Sequence, residues 1–293
     1  MISTVRKIKS GIFGLNTLLD GGINENSTTV IIGSSGAGKT TCATQFIRRG
    51  LQDGQEGIFV SLDENKEQII REAVEMGWSD ILDYLDDGLL VFIDASGREF
   101  GNFIRKELPA FVADWRGANA RIAVDPLTPV LWSTQDQYEQ RDLIGFMLKE
   151  TRKVGTVLCT LEEHGPGELT GPETIIPMYL ADCVIHLRYK ASEGNVMRNL
   201  KIIKARSSRH SELSHPYLIL RGLGLIIDAT EYKRQLTTKI PTQIKNVLQQ
   251  QGPLPKNVHD NIQKALEGLD DDDFKTLKAE HLIETIIAEY SEG

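Results

Sequence analysis

Residues 28–41 read TTVIIGSSGAGKTT, an apolar run followed by a glycine-rich turn and a lysine–threonine pair. Residues 33–40 fit the pattern GxxxxGK[ST], in which glycines let the backbone wrap a phosphate chain with its N–H groups pointing inward. The run before the pattern predicts a strand, and Lys39–Gly50 predicts a helix whose N-terminus favours anions. The stretch therefore predicts a phosphate-binding loop between a buried strand and a helix.

The residues of this loop predict a site for a nucleoside triphosphate and a magnesium ion. Lys39 is expected to reach the β- and γ-phosphates, and the Thr40 hydroxyl is expected to coordinate Mg²⁺. The other expected contacts to the nucleotide come from Gly33, Ser34, Ser35, Gly36, Ala37, Gly38 and Thr41. ATP and Mg²⁺ are the expected cofactors; GTP stays open, although the guanine-selective motif of small GTPases is absent.

Outward from the loop, Val- and Ile-rich runs alternate with amphipathic stretches from about Gly11 to about Asp228. This alternation predicts an α/β fold, a mainly parallel sheet with helices on both faces. The predicted strands are Thr28–Ile32, Gly57–Ser61, Leu89–Asp94, Arg121–Asp125 and Thr156–Leu161. The predicted helices are Lys39–Gly50, Lys66–Met76, Asn102–Trp115 and Glu139–Lys153. After Ala181 the strand-like runs follow at turn-length gaps, which predicts antiparallel hairpins at one edge of the sheet.

Carboxylates follow two of the predicted strands. Asp125 ends the strand Arg121–Asp125, and an acid at the carboxyl end of a central strand can hold the Mg²⁺ shell. Asp63 and Glu64 directly follow the predicted strand that begins at Gly57, where they could orient or deprotonate the attacking water. The alternative for Asp63 is a structural one, in which it caps the helix that begins after it. The pattern alone does not separate these two interpretations.

Bulk composition limits the class of protein. The chain has 293 residues, 40% hydrophobic and 25% charged, as in ordinary globular proteins. Its net charge of -8 argues against a basic nucleic-acid clamp over the whole chain. No signal peptide is apparent, and no apolar run approaches the roughly 20 residues that span a bilayer. Three separated cysteines suit a reducing compartment, so a cytoplasmic protein without membrane contact is expected.

The composition changes near residue 236. Residues 236–293 contain ten acidic residues and six lysines and no strand-like run. We therefore predict an ATPase domain at residues 1–235 and a helical, acidic appendage at residues 236–293. The appendage is either a solvated helical segment or a docking surface for a protein partner.

The motifs together resemble the KaiC branch of the RecA-like ATPases. Residues 11–23, GIFGLNTLLDGGI, resemble the entry motif GIxGLDxLLxGGI of KaiC and RadA proteins, with Asn16 where Asp is common. Asp63 and Glu64 resemble paired acids of KaiC, usually Glu-Glu, that position water. The segment 181–187 with residues 204–210, KARSSRH, resembles the family's KxRxxxH element. The resemblance covers about residues 7–228.

This resemblance implies a RecA-like core and a homohexameric ring with ATP between subunits. It implies that Glu64 is the catalytic acid, with Asp63 beside it. It also implies that Lys204 and Arg206 act on the neighbouring subunit's ATP, with Arg209 and His210 at the same contact. Without the resemblance, this basic cluster could equally be a solvated turn. Met178 and Tyr179 stand where the clock protein has its phosphorylated Ser-Thr pair, so a clock-type autokinase cycle is not expected.

Three functions remain open at this point. The first is a slow KaiC-like ATPase that acts as a switch or motor through protein partners. The second is a RecA/RadA-type recombinase, but the candidate DNA loops, residues 127–140 and 162–174, contain no Lys or Arg. Binding to DNA depends on neutralising phosphates, so these loops argue against a DNA partner. The third is a scaffold that holds ATP without turnover.

Overall fold

The computed structural model describes residues 5–163, 169–192 and 195–229. Its strands are β1 (Lys7–Ile8), β2 (Ile23–Asn24), β3 (Thr28–Gly33), β4 (Gly57–Ser61), β5 (Leu90–Asp94), β6 (Ala120–Asp125), β7 (Gly155–Glu162), β8 (Cys183–Ser192), β9 (Asn195–Ala205), β10 (Ser214–Leu220) and β11 (Gly224–Ile227). Its helices are α1 (Leu15–Leu18), α2 (Lys39–Gln52), α3 (Lys66–Glu75), α4 (Asp80–Asp86), α5 (Gly97–Lys106), α6 (Leu108–Asp114), α7 (Thr128–Leu131), α8 (Gln137–Thr151) and α9 (Pro172–Leu180).

Nine strands form one sheet in the order β11-β10-β9-β8-β3-β7-β6-β4-β5, and β1 pairs with β2 separately. The strands from β8 to β5 run parallel to one another. The pairs β8–β9, β9–β10 and β10–β11 are antiparallel. Both predictions are confirmed: the sheet is mainly parallel, and antiparallel hairpins extend one edge.

The sheet is buried on both faces because alternate residues of each strand point to opposite sides. Val30 and Ile32 of β3 join a large apolar cluster that includes Ile104 of α5 and Ile144 of α8. Ile31, between them, points the other way and is also buried. Helix α2 packs against β6, β7 and β4 and supplies the buried Phe46 and Ile47 to that second face. Double burial explains why these strands read as continuous apolar runs.

The predicted single helix Asn102–Trp115 is wrong. The structure has two helices there, α5 and α6, and the second begins with Leu108 and Pro109. Proline lacks the backbone N–H that a continuous helix would use, so the chain breaks at this point. Helix α5 also starts earlier than predicted, at a capping box between Ser96 and Glu99.

The described residues belong to one compact unit that ends at Ala229. The predicted appendage, residues 236–293, lies outside the described residues. Within the described part of the chain, no helix is long and apolar enough to cross a membrane. The three cysteines are buried there as free thiols.

Candidate nucleotide site

The phosphate-binding loop, residues 33–40, connects β3 to α2. Gly36 and Gly38 have φ angles of 78° and 91°, in the left-handed region that side chains with a Cβ rarely adopt. A Cβ on Gly38 would also lie 2.7 Å from Ile219 Cδ1. The glycines thus allow the turn that leaves the loop open to a ligand at the N-terminus of α2, where anions are favoured.

A buried tyrosine from the antiparallel half of the sheet supports this loop. The Tyr217 hydroxyl donates a hydrogen bond of 2.7 Å to the Ala37 carbonyl. Tyr217 lies on β10 and is only 3% exposed. Sequence reasoning missed this contact, because the two residues are 180 positions apart and only the hairpins bring β10 beside the loop.

Lys39 lies in an acidic environment. Its Nζ donates to the Ser34 carbonyl at 3.1 Å, so the side chain folds over the loop. Burial lowers the pKa of Lys39, and the negative charges of Asp125, Glu162 and Glu163 oppose that shift. Glu162 ends β7, a neighbour of β3, and Glu163 follows it. The sequence pattern assigns both only to a possible DNA loop, although acids at the end of a strand beside the phosphate loop are a usable signal.

Glu163 is tied to the phosphate strand. Its backbone N–H donates to the Gly33 carbonyl at 3.1 Å, and its carboxylate lies 3.2 Å from His186 Nε2. Both side chains are almost fully buried. This arrangement fixes the position of a carboxylate next to Lys39.

The two predicted magnesium ligands meet at the same edge. Asp125 ends β6 and is 5% exposed, and it accepts hydrogen bonds from the hydroxyls of Thr160 and Thr40. Burial raises the pKa of Asp125, while those two hydrogen bonds and the charge of Lys39 lower it. A hydroxyl and a carboxylate are hard oxygen donors, the type that Mg²⁺ prefers. Thr40 and Asp125 therefore form a chemically suitable pair for the ion.

Asp63 and Glu64 lie beyond the carboxyl end of β4, beside Asp125. The Ser61 hydroxyl donates to the Glu64 carbonyl and holds the turn. Partial burial raises the pKa of Glu64, and the charges of nearby acids, Asp125 among them, add to the effect. The structural alternative for Asp63 is wrong, because Asn65 is the residue that caps α3, through a 2.9 Å bond from the Gln68 N–H.

A cavity of about 320 Å³ opens beside Thr40 and Thr41, between the start of α2 and the end of α3. Its wall includes Met76, Trp78 and Arg221. Trp78 is held by a 3.1 Å bond from its ring N–H to the Gly222 carbonyl, in the turn between β10 and β11. The cavity therefore combines apolar surface with one cation, Arg221, and two acids, Glu72 and Glu75, next to the phosphate loop.

The basic residues of the predicted contact element lie at the opposite end of the strands from the phosphate loop. Strand β8 pairs Cys183 with Thr29 and Leu187 with Gly33, and β9 pairs Ala205 with Cys183. Lys204 and Arg206 are therefore level with the start of β3, whereas the phosphate loop follows its end. At about 3.3 Å per residue, Arg206 lies roughly 16 Å from the loop along the strands alone. Arg209, which is exposed, and the half-buried His210 follow in the same segment.

Comparisons with known proteins point to one family of ATPases. A family model for the KaiC ATPase matches residues 8–232. Circadian clock protein KaiC3 of Synechocystis is 28% identical over 235 residues, which are 76% of this chain and 46% of that protein. A UPF0273 protein of Methanopyrus kandleri is 31% identical over 238 residues, 73% of this chain and 89% of the relative.

A solved structure shares the fold. The crystal structure of a KaiC-like protein from Pyrococcus horikoshii superimposes with a TM-score of 0.63 at 30% sequence identity, covering 76% of this chain and 99% of that one. The chain thus spans about half the length of the curated clock relatives that it matches, but nearly the whole of the shorter archaeal proteins. With a RecA-like sheet, a phosphate loop and a family match over most of its length, this chain belongs to the KaiC ATPase family.

Proposed function

We propose that the chain binds Mg-ATP at residues 33–41 and hydrolyses it slowly between the subunits of a homohexameric ring. The observation that carries this proposal is the convergence of Lys39, Thr40, Asp125 and Glu64 at one edge of the sheet. Lys39 neutralises the β- and γ-phosphates, while Thr40 and Asp125 hold the ion directly or through water. Bound Mg²⁺ supplies the positive charge that offsets charge developing on the transferred phosphoryl group.

Glu64 is proposed as the group that orients and deprotonates the attacking water, with Asp63 at its side. A raised pKa suits a general base, because the ideal catalytic pKa lies close to the working pH. The acids around Lys39 repel an unneutralised phosphate chain. Nucleotide binding is therefore expected to depend on Lys39 and on the ion together.

Lys204 and Arg206 are proposed to complete the site of the neighbouring subunit, with Arg209 and His210 at the same contact. Their place level with the start of β3, roughly 16 Å along the strands from the phosphate loop, supports this. Cations that approach the γ-phosphate from a second subunit stabilise charge in the transition state, as an arginine finger does. A ring with shared sites would couple nucleotide state to subunit geometry.

The cavity beside Thr40 and Thr41 is proposed to take the ribose and base. Its volume of about 320 Å³ lies within the range of small-molecule sites. The biological output is proposed to be a regulatory switch or motor in the cytoplasm that acts through a protein partner, with residues 236–293 as the docking appendage. The acidic character of residues 162–174 supports a protein partner rather than DNA.

The test is steady-state phosphate release with Mg-ATP over a wide range of protein concentration, with and without single-stranded DNA. We expect specific activity to rise with protein concentration, because sites form only between subunits, and to ignore DNA. Activity that appears only with DNA would support a recombinase instead. Absence of phosphate release under every condition, with nucleotide still bound, would support a scaffold.

A further inference from the structure

Three basic side chains meet the C-terminal end of α9. Carbonyls in the last turn of a helix have no partner inside the helix and carry partial negative charge. Each of three consecutive carbonyls accepts a bond from a different cation: Met178 from Lys204 Nζ at 2.5 Å, Tyr179 from Arg206 Nη2 at 2.9 Å, and Leu180 from Arg152 Nη2 at 3.2 Å. The two proposed in-trans cations and Arg152 therefore share one support.

Arg152 has two further contacts that reach the same segment. Its Nε donates to the Thr28 hydroxyl at 2.8 Å, and its Nη2 lies 3.1 Å from Asp182 Oδ2. Asp182 is held in turn by the Thr28 N–H at 2.9 Å. The Asp182 carbonyl accepts the backbone N–H of Arg206 at 2.8 Å. One guanidinium thus links the start of β3, the end of α9 and the residue that anchors Arg206.

The charges explain why an arginine is needed at this position. Asp182 is the carboxylate whose charge acts on Lys204, and without Arg152 it would be free to attract Lys204 or Arg206. An arginine fork can satisfy a carboxylate and still donate to other oxygens, which a lysine ammonium does with less directional control. With Asp182 occupied by Arg152, Lys204 and Arg206 are held by neutral carbonyl oxygens in the contacts described for them, which an external anion could replace more readily than a carboxylate.

We infer that Arg152 is a positioning residue of the half-site that one subunit presents to its neighbour's nucleotide, acting by occupying the Asp182 carboxylate and fixing the end of α9. The inference rests on the proposed in-trans function of Lys204 and Arg206. Arg152 touches no part of the phosphate loop, so its effect is expected on turnover and not on the nucleotide affinity of its own subunit.

The first experiment measures turnover and nucleotide affinity of Arg152→Gln. We expect kcat to fall about tenfold, equivalent to about 1.4 kcal/mol, with the Kd for Mg-ATP unchanged. The adjacent Lys153→Gln is the matched control, because Lys153 pairs only with Glu150 among the contacts described for it and should leave both quantities unchanged. Adding Asp182→Asn to Arg152→Gln removes the freed carboxylate and should restore most of the lost kcat. A double variant no faster than the single one contradicts the charge argument.

The second experiment identifies the subunit on which Arg152 acts. Equal mixtures of Arg152→Gln with Lys39→Ala should recover about one quarter of wild-type activity, since that share of interfaces pairs an intact loop with intact cations. Mixtures of Arg152→Gln with Arg206→Ala should fall below Arg152→Gln alone, because no subunit then offers an intact half-site. If the mixture with Arg206→Ala is instead the more active of the two, Arg152 serves the phosphate site of its own subunit, and the inference is overturned.

A control mixture of Lys39→Ala with Arg206→Ala distinguishes a failure of the in-trans function from a failure of the role inferred for Arg152. Restored activity in this mixture supports in-trans sites. If the Arg152→Gln mixture with Arg206→Ala is then more active than the one with Lys39→Ala, only the Arg152 inference is contradicted. If the control stays inactive although both variants enter the same rings, the in-trans function fails and the inference fails with it. Thermal unfolding of each variant verifies that loss of activity does not come from loss of fold.

Discussion

Replacing Tyr217 with Phe should loosen the phosphate-binding loop without changing the packing around it. The ring keeps its volume, and only the hydroxyl that donates to the Ala37 carbonyl at 2.7 Å is lost. The carbonyl is then left buried without a partner, which costs about 1–2 kcal/mol. For a domain of this size each kcal/mol corresponds to about 2–4 °C, so Tm should fall by about 2–8 °C.

The affinity for Mg-ATP should also fall, and it tests the loop more specifically than Tm does. If the loop must be held in its binding conformation, part of the lost free energy appears in binding, and the Kd for Mg-ATP should rise about fivefold. A fluorescent ATP analogue measures Kd, and Tm is recorded at fixed protein concentration with and without Mg-ATP. Tyr138→Phe is the control, because Tyr138 is 83% exposed and should change neither quantity. Unchanged Tm and Kd in Tyr217→Phe would refute the support by this hydroxyl.

Three further predictions concern the site and its frame. Lys39→Ala should weaken Mg-ATP binding by a hundredfold or so or abolish assembly, since a charged hydrogen-bond partner of the phosphates is lost; an unchanged Kd in a titration would contradict the phosphate-loop assignment. Glu64→Gln should stop phosphate release while Mg-ATP still binds. In the wild type, turnover should decline on acidification, because the ionised form of Glu64 is the active one. The pKa of Glu64 is raised, so the decline should begin above the ordinary glutamate pKa of about 4.3. Turnover that stays constant down to about pH 4.3 counts against Glu64 as the base. Arg121→Met should lower the stability by about 3 kcal/mol, because the fully buried guanidinium bonds the Lys9 and Phe46 carbonyls and Asp53; a chemical denaturation midpoint equal to that of the wild type would be inconsistent with this role.

The parts of the fold that could be predicted are those encoded by neighbouring residues. The phosphate loop is a contiguous pattern, and the buried strands of the parallel sheet are apolar runs, so β3, β4 and β6 were predicted within a residue or so of their observed bounds. The break between α5 and α6 depends on a single proline, and amphipathic periodicity continues across it. Helix α9 follows a segment rich in Gly and Pro and contains Pro177. Helix propensity therefore does not predict it.

The candidate site divides in the same way. Lys39, Thr40 and Asp125 belong to local motifs, and the topology of a parallel sheet places strand ends together, so their meeting could be anticipated. The support of Ala37 by Tyr217 and the contacts of Arg152 with Asp182 join residues far apart in the sequence. They depend on strand order and register, which no local pattern contains. The position of Lys204, at the opposite end of the strands from the phosphate loop, likewise follows from the register of β9 on β8.

The most direct test of the central claim is a cryo-electron microscopy structure of the full chain with Mg²⁺ and a non-hydrolysable ATP analogue. The proposed function predicts a closed ring of six subunits. In each site, Lys39 and Thr40 of one subunit and Lys204 and Arg206 of the next should contact the same triphosphate. A nucleotide held by one chain alone, with Lys204 and Arg206 still bound to the end of α9 and far from any phosphate, would contradict it.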